Sequence, residues 1–271
     1  MKHLRLFENF EVVEPILYGD PLNDKEINFL KEYNVLCPEW ILKDDNYYYV
    51  FDHRCENIKD LPATYIHAVC KKFETTNYTI NNDHTIDVDD HVNFHQRGLH
   101  KIPFKFNRVS GNFYCFLNNL TTLDGSPKSV GGGFHCEDNE LTTLEGGPKS
   151  VGGDFDCSSN ELITLKGSPK KVGENFYCNH NRLTSLSGSP KEVGKDFDCV
   201  DNRLTTLEGA PESVGENFNC NDNQLTTLQG GPEYVDGVFR CYNNPLMSVE
   251  YKGVIRGFIK GKGVIKCKIY R

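Results

Sequence analysis

Eleven cysteines and nine histidines are the residues of this 271-residue chain best equipped for metal or redox chemistry, and spacing decides whether they can do it. Cys115, Cys136, Cys157, Cys178, Cys199, Cys220 and Cys241 recur every 21 residues without a slip. The chain has no CxxC pair, the spacing that brings two thiolates onto one zinc ion or into one redox centre. One thiol per repeat reads instead as a core column, because a buried free cysteine behaves as a small, unreactive hydrophobe. No hydrogen-bond partner for these thiols is evident from sequence. Neighbouring rungs lie within disulfide reach, but an odd, unbroken column is better explained by packing, so reduced thiols are expected. Cys37, Cys55, Cys70 and Cys267 fall outside the column.

The histidines supply a second candidate. His84, His91, His95 and His100 lie within seventeen residues, beside Asp83, Asp87, Asp89 and Asp90. A zinc site needs three or four ligand atoms converging at about 2.0–2.2 Å. On a strand, His91 and His95 share a face but stand roughly 13 Å apart. Enrichment without convergence reads as a polar edge, so neither a metal nor a cofactor is expected. No phosphate loop, serine-nucleophile motif or dinucleotide fingerprint occurs, and the chain is read as non-catalytic.

The elements that carry these residues follow from the same period. Two residues before each ladder cysteine stands a phenylalanine, from Phe113 to Phe239, and three after it an asparagine, from Asn118 to Asn244. Leucine columns begin at Leu120 and Leu123, followed by Gly-x-Pro, as in Gly125-Ser126-Pro127, and by Val130. Phe-x-Cys is a short period-2 strand with both side chains on one face, and stacking such strands builds a parallel sheet. Asparagine after the strand can satisfy buried backbone groups of the turn. Gly-x-Pro fits neither a helix nor a central strand, so the return side should be extended or turn-like.

The unit resembles the short bacterial class of leucine-rich repeats, with phenylalanine and cysteine at the two strand leucine positions. Repeats such as FDCSSNELITLKGSPKKVG are similar to those of tailed bacteriophages and some bacteria. The resemblance covers residues 109–249 and extends in degenerate form to 88–108, where Val88, Phe94, Leu99, Ile102 and Val109 keep the frame but Arg97 replaces the asparagine. It implies a β-rich solenoid with a parallel β-sheet on its concave face. Cys-x-Asp triplets, found in repeat effectors that act as ubiquitin ligases, are here by-products of the repeat.

Three segments are expected: an α/β N-terminal cap over 1–87, the solenoid over 88–249, and a basic β-hairpin cap over 250–271. In the first, a capping box at Asn23 and Glu26 opens a helix that Pro38 stops. Trp40 to Phe51 reads as a strand pair turning near Asp44-Asp45-Asn46, and Thr64 to Phe73 as a short helix. Ile58, Leu61 and Pro62 echo the repeat. The tail alternates apolar and basic residues around Lys260-Gly261-Lys262-Gly263.

Function is then sought on the surface that the repeats present. The residues flanking phenylalanine and the two after cysteine should face the concave side. Across the first six strands these positions hold eight acids and neither lysine nor arginine. The binding residues expected there are Tyr114, Phe116, His135, Glu137, Asp154, Asp156, Tyr177, Asp196, Asp198, Asp201, Arg240 and Tyr242. A protein partner with a basic surface fits them, and engagement of a host factor follows from the phage-like repeats. A competing account has these acids merely keeping a strand face soluble. Residues 252–271 carry seven basic residues and no acid, which suits nucleic acid as an alternative partner; lysines protecting a sheet edge explain the same residues. The net charge of −8 argues against whole-surface binding of nucleic acid. Mean hydropathy of −0.53 and the lack of a long apolar run give no membrane span. The acidic opening MKHLRLFENFEVVEP lacks a secretory core, so a cytoplasmic setting is expected.

Overall fold

The computed structural model describes residues 40–43, 46–49, 61–246, 248–256, 259–260 and 264–269. The chain divides into two compact units, 1–65 and 66–271. In the first, Trp40–Lys43 pairs antiparallel with Asn46–Tyr49, with Trp40 opposite Tyr49, the strand pair expected over this stretch. The helix expected after Asn23 lies outside the described residues.

The second unit is a β-solenoid with two ladders of parallel strands. Front strands run from Phe113–Tyr114 through Phe155–Asp156 and Phe176–Tyr177 to Phe239–Arg240. Val92–Asn93 precedes them and Ile259–Lys260 follows, completing a nine-stranded sheet. Register is strict: Phe155 lies opposite Phe134 on one side and Phe176 on the other. The degenerate coil is therefore a true coil, with Val92 paired to Phe113.

The return side is also a sheet. Ser129–Val130, Ser150–Val151, Lys171–Val172 and their successors pair in parallel within an eleven-stranded rear sheet. The prolines two to three residues earlier sit buried, where they have no N–H to leave unpaired. Gly173 shows how closely the coils stack: a Cβ there would lie 2.0 Å from the Gly152 carbonyl oxygen.

Phenylalanine, cysteine, leucine and valine columns fill the space between the sheets, from Phe113 to Val235 at 3% exposure or less. Successive phenylalanine rings stack with offset, as in Phe155 and Phe176 at 5.2 Å between centroids. The thiols are free and buried. They are also partnered, contrary to the sequence reading: Cys178 Sγ donates to the Asp198 carbonyl at 3.3 Å, and Cys136, Cys157, Cys199 and Cys220 repeat the contact. Burial pushes the ladder thiols above their ordinary range, most strongly from Cys115 to Cys220.

The asparagine column ties coil to coil. Asn160 Nδ2 donates to the carbonyls of Cys157 and Ser158 in its own turn and of Cys136 in the coil before, while its Oδ1 accepts the Leu141 N–H. Asn118 makes the same set at the first boundary, accepting from Leu99 and also from Arg97, so the coil with arginine at the asparagine position remains anchored.

The short helix expected over Thr64–Phe73 forms, but it starts three residues before Thr64. Leu61 and Pro62 do not continue the repeat but open the helix Leu61–Lys72, whose first turn tolerates proline. Ile66, Val69, Cys70 and Phe73 form a buried stripe at helical spacing, and Phe73 meets Phe94 edge-on at 5.0 Å. At the other end the described strands pair in parallel and not as an antiparallel hairpin. Ser248–Ile255 runs parallel to Val264–Ile269, and Ile259–Lys260 parallel to Phe239–Arg240, so the tail continues the winding. Its coils shorten: Ile255 follows its rear neighbour Val235 by 20 residues, and Ile269 follows Ile255 by 14. Between these two rear strands Ile259–Lys260 belongs to the front sheet, as a parallel crossover requires.

Candidate binding face of the front sheet

The twelve residues expected to bind lie on the outer surface of the front sheet; all are half-buried except Asp201 and Tyr242, which are exposed. Because each coil contributes one residue to each position, the face is a set of rows running from coil to coil.

The row before phenylalanine is structural. Asn175 donates through its backbone N and Nδ2 to Asp154 Oδ1 at 3.0 and 2.8 Å, and Asp196 N donates to Asn175 Oδ1 at 3.0 Å. Asn217 then repeats the pair of bonds onto Asp196 Oδ1, both at 2.8 Å. The alternation of Asp and Asn is thus a polar ladder, and Asp154 and Asp196 each hold the next coil with one oxygen.

The centre row reads Tyr114, His135, Asp156, Tyr177, Asp198, Asn219 and Arg240, each opposite its neighbours by strand register. Tyr114 and His135 stack at 5.1 Å. Asp156 Oδ1 accepts from Ser158 N at 2.9 Å and Ser158 Oγ at 2.6 Å. Asp198 Oδ1 accepts from Val200 N at 2.9 Å, and its Oδ2 from Asn219 Nδ2 at 3.2 Å. Burial pushes both carboxyls above the usual carboxylate range despite these bonds. Tyr177, between them, is pushed up by burial and then by the surrounding aspartates. None of the lysine or arginine ion pairs among the described residues is made by Asp154, Asp156, Asp196 or Asp198.

After cysteine come Phe116, Glu137, Ser158, Asn179, Val200, Asn221 and Tyr242. Glu137 is pushed up to about 7, first by burial and then by Asp156. His135 Nδ1 stands 3.9 Å from Glu137 Oε2, and burial holds the imidazole below its ordinary value. Ligand atoms of His135, Glu137 and Asp156 lie within 4.8 Å of one another, the one such trio among the described residues. The trio lies outside the histidine-rich segment 84–100, and its signal in the sequence is a departure from the repeat.

The final row is set by backbone geometry. Leu117, Asp138, Ser159, His180, Asp201, Asp222 and Asn243 all have φ between 51° and 55°. Aspartate and asparagine tolerate this left-handed region better than most residues, which explains three of the acids counted on the face. Asp201 additionally meets His180 Nδ1 at 2.8 Å.

At the N-terminal end the face turns aromatic. His95 lies over Phe116 at 4.6 Å, His91 stacks on Tyr114 at 6.4 Å, and Leu117 is 46% exposed in its left-handed conformation. His91 Nδ1 also accepts the Asn112 N–H at 2.9 Å, opening the polar ladder. In the basic tail, Arg256 reaches Asp236 at 3.3 Å and lies 5.2 Å from the Tyr234 ring centroid. No helix among the described residues is long and apolar enough to cross a membrane. In comparison with known proteins, no family model matches the chain and no curated protein matches it.

Proposed function

We propose that the chain is a non-catalytic protein-binding module whose front face captures a partner with a basic surface. The observation that carries this reading is the centre row, where half-buried Asp156 and Asp198 flank Tyr177 and neither carboxylate pairs with a lysine or arginine among the described residues. Charges kept partly from water without a cation lose some hydration, which an arginine or lysine from a partner restores through charge-assisted bonds. The tyrosine supplies a rigid anchor at the centre. Extended sheet faces of solenoids commonly bind in this way. The likeness of the unit to short leucine-rich repeats of bacterial and bacteriophage proteins supports a host protein as the partner class.

The test is capture of arginine- and lysine-rich peptides by the full chain. Tyr177→Ala with Asp198→Lys should weaken capture at least tenfold, whereas Ser213→Lys on the rear sheet should leave it unchanged. Loss through the rear change with survival of the front one would refute the assignment. Salt-sensitive binding of DNA or RNA, abolished by removing residues 252–271 from a chain that stays folded, would favour the nucleic-acid reading instead.

A further inference from the structure

Three departures from the repeat meet at one place on the front face. His135 is the imidazole in a centre row otherwise made of tyrosine, acids, asparagine and bases. Glu137 is the acid in the row after cysteine. Gly133 interrupts the Asn/Asp ladder, and a Cβ there would lie 2.6 Å from His135 Nε2. An ordinary ladder residue at 133 would thus displace the ring. The glycine makes room for an imidazole whose Nδ1 faces Glu137.

Glu137 adds a second, independent sign. Its side chain is 18% exposed, but Oε2 itself is buried and has no hydrogen-bond partner among the described residues. A buried carboxylate oxygen without a donor is costly, and a cation satisfies it where no N–H is at hand. Asp156 faces the same point from the next coil. Its Oδ1 is fixed by Ser158, the kind of outer support that orients a ligating carboxylate. Tyr114 fixes the imidazole plane from the other side.

We propose that His135, Glu137 and Asp156 form a site for a divalent cation of the zinc class. One neutral imidazole nitrogen and two carboxylate oxygens match the borderline preference of zinc and cobalt better than that of magnesium, which favours oxygen alone. Bonds of about 2.0–2.2 Å place ligand atoms of a tetrahedral site about 3.4 Å apart. The 3.9 Å between His135 Nδ1 and Glu137 Oε2, and the 4.8 Å limit for the trio, exceed this by about 1.4 Å at most, so a bound ion would draw the ligand atoms inward by that much. Three protein ligands leave a fourth position open to water or to a partner's side chain. The site shares Asp156 with the row proposed to capture basic peptides, but it needs neither Tyr177 nor Asp198.

The experiment is titration of Co2+ into the full, chelator-treated chain under reducing conditions, followed by absorption. The expected result is one cobalt per chain with visible d–d bands and no thiolate charge-transfer band, displaced by Zn2+ and not by Mg2+. Glu137→Gln and Asp156→Asn should each lower affinity at least tenfold. Asp156→Asn is the fold-preserving variant, since Asn219 already occupies the same row and the oxygen facing Ser158 is retained. His180→Gln, on the same face, should leave binding unchanged. Equal affinity in wild type and Asp156→Asn, or a spectrum dominated by thiolate bands, would overturn the proposal.

Discussion

Asn181 Nδ2 donates to the carbonyl of Cys157, a full coil earlier, at 3.0 Å, while the carbonyl of its own Cys178 accepts from it at 3.2 Å. One buried amide thus fastens two coils. Its Oδ1 also accepts the Leu162 N–H at 3.0 Å, so the side chain stands in for backbone pairing where the strands end.

Asn181→Ala should therefore cost about 3 kcal/mol or more, because Leu162 N–H and several carbonyls lose a partner inside the core. Urea unfolding measures it. A cost under about 1 kcal/mol, the scale of a surface substitution, would mean that water reaches these groups.

The ladder thiols give the second prediction. Mass-spectrometric mapping of alkylation should find Cys115 to Cys241 protected in the native protein and labelled in urea, since burial keeps them from ionising. Cys178→Ser should cost only about 1 kcal/mol, because the hydroxyl inherits the Asp198 carbonyl as acceptor. Rapid native labelling of the whole column would contradict the packing.

Close stacking at the rear sheet makes a third. Gly173→Ala places a methyl group against the Gly152 carbonyl, so the coils must separate locally. A loss of about 3 kcal/mol is expected, read as a lowered midpoint of thermal unfolding. An unchanged midpoint would show that the coil spacing is softer than its geometry.

Asp198 supplies the fourth. Burial raises its folded carboxyl above the unfolded value, so stability contributed by the protonated form is present at low pH and lost as pH rises through the raised value. Asp198→Asn, which places in this row the residue already found at Asn219, should raise the urea midpoint at pH 7. The gain should shrink as pH falls through the raised value and be gone below the unfolded carboxyl value of about 3.9. The same change should weaken capture of basic peptides. A gain that grows on acidification would reverse the assigned cause.

Much of this was legible in the sequence because one coil is one repeat: Phe176, Cys178 and Asn181 announce an inward strand and its turn by spacing alone. The rear sheet was not, because a two-residue strand such as Lys171–Val172 between Pro169 and Gly173 is too short to show alternation. The tail misled for the opposite reason: alternating residues around Lys260-Gly261 satisfy a hairpin pattern, while its pairing is decided by the open edges of Tyr234–Val235 and Phe239–Arg240. The structural duty of Asp154 could be seen only once Asn175 was set beside it. The trio at His135 was visible only as a break in the rule.

The asparagine fastening has a bearing on how long such a protein can be. Residues 182–202 begin after Asn181 and end at Asn202, and the next residues, Arg203 and Leu204, duplicate Arg182 and Leu183. Excising that block would rejoin Asn181 to Arg203 with no foreign junction, and the Leu162 N–H would keep its acceptor. A gene built this way gains or sheds whole coils by unequal recombination while each joint stays chemically the same. Length in such a chain can change by whole coils, whereas the irregular coil bearing Gly133 and His135 has no interchangeable copy.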